Sequence, residues 1–230
     1  MDMSAALKSV FEDEEWIAKV AVGSLIFLIP IVGQIIVLGY MIKLARNVAQ
    51  GNPRPLPRWE DLGDLLTRGL HVFVITLAYV APAILLMFLV LIPIGVVGSA
   101  TGDREGNIVG PLFFCLMPLV SILAVGLSLA AYGAMARYLV YDTLSEAFKF
   151  REVFASMRAD LSAWLMLLLT SIVVGLAGAA ISAVTCGLGF LVLPMYMYCV
   201  LGHGLGQIAR RYLVAPPPST YPGQPYPPMS

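Results

Sequence analysis

The 230-residue chain is 59% hydrophobic and only 12% charged, against about 25% charged in an ordinary soluble domain. A water-soluble protein of this size needs a charged surface, so the deficit points away from a globular soluble fold and towards lipid contact. Fourteen basic and fourteen acidic side chains cancel to a net charge of zero, which leaves no electrostatic footprint for nucleic acid or an acidic partner.

In chain order, "FEDEEW" (11–16) sets four acids before the first apolar run. A cleavable signal has a basic start instead, so the run is read as retained. The run itself, Trp16–Arg46, is too long for one helix: 31 residues at ~1.5 Å each reach ~46 Å, beyond a hydrocarbon core of ~30 Å. Pro30 near its middle removes a backbone donor. Two readings are open. Two short helices, about 16–29 and 31–46, could form a hairpin, which gives six membrane segments. A single kinked span gives five. Proline and length favour the hairpin.

The first polar connector, "GNPRPLPRWEDL" (51–62), begins with an extended lead-in imposed by Pro53, Pro55 and Pro57. After it, Trp59, Leu62, Leu66 and Leu70 recur on one helical face, which predicts a short amphipathic helix on the cytoplasmic interface. A span over about Leu70–Ile92 follows, with "IPIG" (92–95) starting the turn. A connector at 101–109 leads to a long tilted span within Gly110–Tyr141. The second polar connector, "EAFKFREVFASM" (146–157), carries Phe150, Val153, Met157 and Leu161 at the same spacing, 91 residues after the first set (Trp59 to Phe150). It predicts a second interfacial amphipathic helix. At that displacement Ala45-Arg46 matches Ala136-Arg137, which raises an internal repeat of about 31–100 and 122–191. An ordinary amphipathic spacing explains the same pattern without duplication. Spans over Leu161–Cys186 and Leu188–Tyr212 complete a single transmembrane domain over 1–213. Residues 214–230, with "APPPSTYPGQPYPPMS", read as a disordered proline-rich cytoplasmic tail.

The charges give the threading. Lys43, Arg46, Arg54, Arg58 and Arg68 surround connector one, Arg137, Lys149, Arg151 and Arg158 surround connector two, and Arg210 and Arg211 follow the last span. Short loops rich in Lys and Arg stay cytoplasmic. Both polar connectors and the C-terminus are therefore expected inside, and 101–109 outside. Trp16, Trp59, Phe150, Arg46, Arg58, Arg137, Arg151 and Arg210 are the expected interfacial anchors. The fold class expected is all-α, a polytopic transmembrane helix bundle of five to six segments in the cytoplasmic (inner) membrane.

Catalytic chemistry is sparse. Ionisable groups inside spans mark transport or proton relay, and only His203, with Gln34 beside the Pro30 break, is a candidate intramembrane polar group. No Ser–His–Asp set, metal-ligand motif or phosphate loop occurs, so no enzyme activity, cofactor or metal is expected. Cys115, Cys186 and Cys199 read as small buried hydrophobes. The small-residue runs "GLAGAAISA" (175–183) and "LGHGLG" (201–206) suit helix–helix contact, within the chain or with another copy.

The stretch from Gly39-Tyr40 through Arg46, Gly51, Pro57, Trp59, Asp61, Leu65 and Gly69 resembles a bacterial and archaeal integral-membrane domain family of unknown function. That resemblance implies membrane residence over roughly residues 8–213, with no assigned activity and no catalytic residues. Two functional expectations follow: an accessory or scaffold subunit acting through helix association, or a small-solute permease or channel component that uses breaks at Pro30, Pro93 and Pro194. The expected partners are the lipid bilayer and a second copy or another membrane subunit.

Overall fold

A computed structural model describes residues 2–102, 109–187 and 189–214. The fold among these residues is all-helical: α1 (Met3–Lys8), α2 (Trp16–Phe27), α3 (Val32–Ala49), α4 (Leu62–Thr101), α5 (Val109–Tyr141), α6 (Leu144–Ala147), α7 (Phe150–Ala159), α8 (Leu161–Val184) and α9 (Gly189–Val214). Five of them, α3, α4, α5, α8 and α9, are long and apolar enough to cross a membrane, and α2 is a shorter apolar helix. The proline-rich tail from 215 and most of the 101–109 connector lie outside the described residues.

The first apolar region divides at Pro30. Helix α2 stops at Phe27, Ile31 takes a φ of 64°, and α3 starts at Val32. The two helices fold back on each other, since Trp59 touches both Lys19 of α2 and Tyr40 of α3. Elsewhere proline does not break the chain. Pro82 and Pro93 sit inside the 40-residue α4, Pro118 inside α5 and Pro194 inside α9. The turn expected at 92–95 and the breaks expected at Pro93 and Pro194 are therefore corrected to continuous helix. The physical reason is that an apolar stretch has no water for freed backbone groups, so the helix closes every bond it can around the proline.

The chain forms two compact units, one holding the chain up to Ile75 and again from Gly133, the other Thr76–Tyr132. In the first unit α3 is central, with 13 of its 18 residues buried. Glycine makes this possible by letting backbones touch. A side chain at Gly39 would strike the carbonyl of Leu65 in α4, and one at Gly69 would strike the carbonyl of Ile35. The pairing of 39 with 65 and 35 with 69 makes α3 and α4 antiparallel. On its other side, Gly202 meets Met41 and Gly206 meets Ala45, so α9 runs parallel to α3. Gly178 of α8 likewise admits Leu193 of α9. The small-residue runs read from the sequence are thus used inside the chain.

The N-terminal segment packs against the same bundle. Gln207 of α9 exchanges hydrogen bonds with the Asp2 backbone, and Tyr196 donates to the Leu7 carbonyl at 3.1 Å. Ala6 joins a buried cluster with Val174 and Val200. Sequence pattern gave no sign of α1, because six residues are too few to show a period.

The second unit consists of the later part of α4 and most of α5. Its large aliphatic and aromatic side chains are widely exposed, Leu85 at 69%, Leu89 at 70%, Phe114 at 78% and Ile122 at 70%. Its hydroxyls turn back on their own helices: Ser121 donates to Met117, Ser128 to Ala124 and Thr101 to Val97. That satisfies each hydroxyl without water. Cys115 and Cys186 are exposed, and only Cys199 is buried, which corrects the expectation of three buried thiols.

Candidate functional site

The residues that carry the resemblance converge at one end of the first unit. Connector one does not form the interfacial helix expected from Trp59 onward. Residues 55–58 are in neither helix nor strand, 59–60 form a turn, and α4 begins only at Leu62. Three alternate prolines keep the lead-in out of a helix, and the fold clamps it. Asn47 donates from Nδ2 to the Pro55 carbonyl at 2.8 Å, and Lys19 Nζ lies 3.4 Å from the Leu56 carbonyl. Leu56 is buried. Trp59 turns inward and stacks on Tyr40, ring centroids 4.3 Å apart at 16°, while its indole N–H donates to the Lys19 carbonyl at 2.9 Å. Asp61 then caps α4, its carboxylate accepting from the Asp64 N–H at 3.0 Å. Gly51 takes a φ of 78°, a turn that favours glycine.

Below this strap lies a buried ion pair. Lys19 Nζ is 2.7 Å from Asp13 Oδ2 and 3.7 Å from Glu15, with the Lys19 and Asp13 side chains only 11% and 4% exposed. Burial opposes charge on Asp13. The Lys19 hydrogen bond and the Glu15 backbone N–H outweigh it and hold the carboxyl below the usual aspartate range. Beside the pair an open groove of about 830 Å³ is lined by Glu14, Glu15, Ile17, Arg58, Trp59 and Glu60, among others.

Two further charge networks tie the helix ends together. In the first, Asp64 accepts from Lys43 at 3.2 Å and Arg68 at 2.7 Å, and Asp142 pairs with Arg46 and, at 3.5 Å, with Arg68. Asp142 sits just past α5 with a φ of 52°. Nearby, His71 Nδ1 meets the Tyr138 hydroxyl at 2.9 Å. In the second, Arg137 pairs with Glu146 at 2.6 Å and with Glu152, and Lys149 also reaches Glu146 at 2.6 Å. Burial raises the Glu146 carboxyl, but the Lys149 and Arg137 hydrogen bonds hold it below the usual range. Asp160 caps α8 and pairs with Arg211 at 2.7 Å. Burial works against its charge too, and Arg211 and Ser162 keep its carboxyl low. Each acid in these networks accepts from a cation, so the arrangement fixes chain segments and presents no free acid–base pair.

The expected site residues divide accordingly. Arg46 and Arg137 are buried at 8% each and held in internal pairs. Trp16 packs partly buried, its ring 5.0 Å from Phe11. Arg58 is exposed and pairs with Glu60. Phe150, Arg151 and Arg210 are exposed. His203 is half-buried on α9, and its Nδ1 has no hydrogen-bond partner among the described residues. Gln34 is exposed in the first turn of α3. The two are not brought together: Gly202 packs at Met41, and Gln34 is seven residues earlier, roughly 10 Å along the helix.

Sequence reasoning passed over Lys19, Asp13 and Asp142. For Lys19 a signal existed, a lone cation inside an apolar run four residues after Glu15. For Asp142 none did, because its partners are 74 and 96 residues away in the chain (Arg68 and Arg46).

No curated protein and no solved structure matches the chain. A protein family described as a protein of unknown function does match, over residues 22–199, a stretch that contains the strap, Tyr40, Lys43, Arg46 and both rim networks except Arg211. This polytopic helical chain therefore belongs to the DUF4013 family, a family of unknown function.

Proposed function

We propose that this integral membrane protein acts by association, as an accessory or scaffold subunit whose lipid-embedded helices dock another membrane protein. The observation that supports this is the second unit. Its helices α4 and α5 hold the most apolar membrane-length stretches among the candidate spans, and only 11% and 6% of those stretches are buried by the chain itself. In the first unit, by contrast, α3 is largely buried, and ion pairs join its segments through Asp64, Asp142, Glu146 and Asp160. No catalytic activity is assigned.

We further propose that the charged end of the first unit faces the cytoplasm. There the end of α3 meets the end of α5 through Arg46–Asp142, and the end of α9 meets the start of α8 through Arg211–Asp160, and the arginine content around these helix ends favours that side. The permease reading keeps one observation in its favour, the unpartnered His203 Nδ1. Native membranes solubilised in mild detergent and passed over affinity-tagged protein separate the two. Association predicts a stoichiometric partner whose recovery falls when Leu85, Leu89 and Ile122 are replaced by serine. Solute flux in proteoliposomes of the purified chain that is lost on His203→Ala, with no partner recovered, would overturn it.

A further inference from the structure

We infer that α7 is a binding surface for anionic phospholipid headgroups at the edge of the bilayer. The spacing in connector two suggested that Val153 and Met157 face lipid. They do not: both pack against Gly133 of α5, and Val153 is fully buried. The outward side carries different residues. Phe150 is 52% exposed and Phe154 45% exposed. At 100° per residue, Arg151 and Arg158 fall beside these rings on the same flank of the helix, and both are exposed.

What distinguishes these two arginines is the use made of their neighbours. Arg137, Lys149 and Arg211 are each held by an acid. Glu152 is turned to Arg137 and Asp160 to Arg211. Arg151 and Arg158 have no ion-pair partner among the described residues, and the acids of their own helix end are already engaged. The face thus offers two unneutralised guanidiniums next to two exposed aromatic rings. Guanidinium pairs with phosphate by charge-assisted hydrogen bonds, and aromatic rings settle at headgroup depth.

Position in the fold commits the occupant to lipid. Helix α7 runs into the candidate span α8 with only Asp160 between them. The exposed apolar side chains continue across that junction as Leu161, 56% exposed, and Leu165, 52% exposed. The arginines therefore sit where a span enters the bilayer, and their aliphatic stems can lie along the apolar surface while the heads reach phosphate.

The test uses the full chain purified in mild detergent with micelles containing equal phosphatidylglycerol and phosphatidylcholine, read by native mass spectrometry. Wild type is expected to retain phosphatidylglycerol in preference, and the preference should shrink as NaCl is raised from about 50 to about 500 mM. Arg151→Gln with Arg158→Gln should lower the preference by about fivefold for each arginine. The Arg→Lys pair should keep most of it, and Arg54→Gln, at a distant exposed pair with Glu14, should leave it unchanged. Equal retention of the two lipids by wild type, or a salt-independent preference, overturns the inference without any variant. A Gln pair that folds and keeps its preference does the same. Inorganic phosphate that competes the bound lipid away at equal concentration would reassign the face to free phosphate.

Discussion

Trp59 lies flat against Tyr40, centroids 4.3 Å apart, and donates a hydrogen bond from its indole N–H to the carbonyl of Lys19. This one relationship joins α2, α3 and the strap, and it explains why a tryptophan follows three prolines. A ring anchored in headgroups would contribute little to folding. A ring stacked in a core contributes much. Trp59→Ala is expected to cost about 3–5 kcal/mol, and Trp59→Phe, which keeps a ring and loses the N–H, about 1 kcal/mol. Thermal unfolding in detergent checks both, and an unchanged midpoint for the alanine variant would refute the inward placement.

Gly39 and Gly69 permit backbone contact between α3 and α4. Gly39→Ala should cost about 1–3 kcal/mol by overpacking. Gly95→Ala and Gly126→Ala, where an added methyl meets nothing within 4 Å, should be neutral or mildly stabilising, since glycine in a helix interior costs up to about 1 kcal/mol against alanine. Melting the three variants side by side decides whether close approach or helix propensity governs these positions.

The buried Asp13–Lys19 pair predicts an asymmetry. Asp13→Asn leaves the buried Lys19 ammonium only the exposed Glu15, 3.7 Å away, as counter-charge and should destabilise by about 3 kcal/mol. Replacing both residues by apolar ones of similar size should cost far less. The measurement is the unfolding midpoint of the single and double variants.

Asp13, Glu146 and Asp160 all have carboxyls held below their ordinary range in the fold. A lowered folded pKa stabilises above the unfolded value and is lost as pH falls through the folded one. The unfolding midpoint should therefore be flat from neutral pH to about pH 5 and decline below about pH 4, where unfolded carboxylates take up protons. A decline beginning near pH 6 would refute the assignment to these carboxyls.

Arg46 and Asp142 are 96 residues apart in sequence and paired in the fold. A double-mutant cycle with Arg46→Ala and Asp142→Ala should show coupling of about 0.5–3 kcal/mol. Arg46→Lys should recover only part of it, because both terminal nitrogens of Arg46 face the carboxylate. Additive single effects would remove the tie between the end of α3 and the end of α5. Independently, single cysteines at positions 5, 106 and 220 in a background without Cys115, Cys186 and Cys199 read the threading. Labelling of 5 and 220 from the cytoplasm and of 106 from outside is expected, and the reverse would overturn the orientation.

From its residues alone the chain reads as all-helical, with long apolar spans and an interruption near Pro30, while hairpin and kinked span stayed open there and the turn expected at 92–95 is helix in the fold. The helices, spans and interruption follow from local quantities, run length, hydropathy and a missing backbone donor, and each can be read within one stretch of chain. The sequence also marked Gly39, Tyr40, Trp59, Asp61 and Gly69 as one recurring pattern. What the pattern builds emerged from the packing of α2, α3 and the strap. Trp59 could face lipid or core with the same helical spacing, and the choice fell to Tyr40 waiting in α3. Val153 and Met157 turned inward because Gly133 left room, which put Phe150 and Phe154 outside instead. Arg46 and Arg137 are buried against acids from other segments, Asp142 for the one and Glu146 and Glu152 for the other. Partner choice among side chains depends on which segments meet, and periodicity along one helix carries no information about its neighbour.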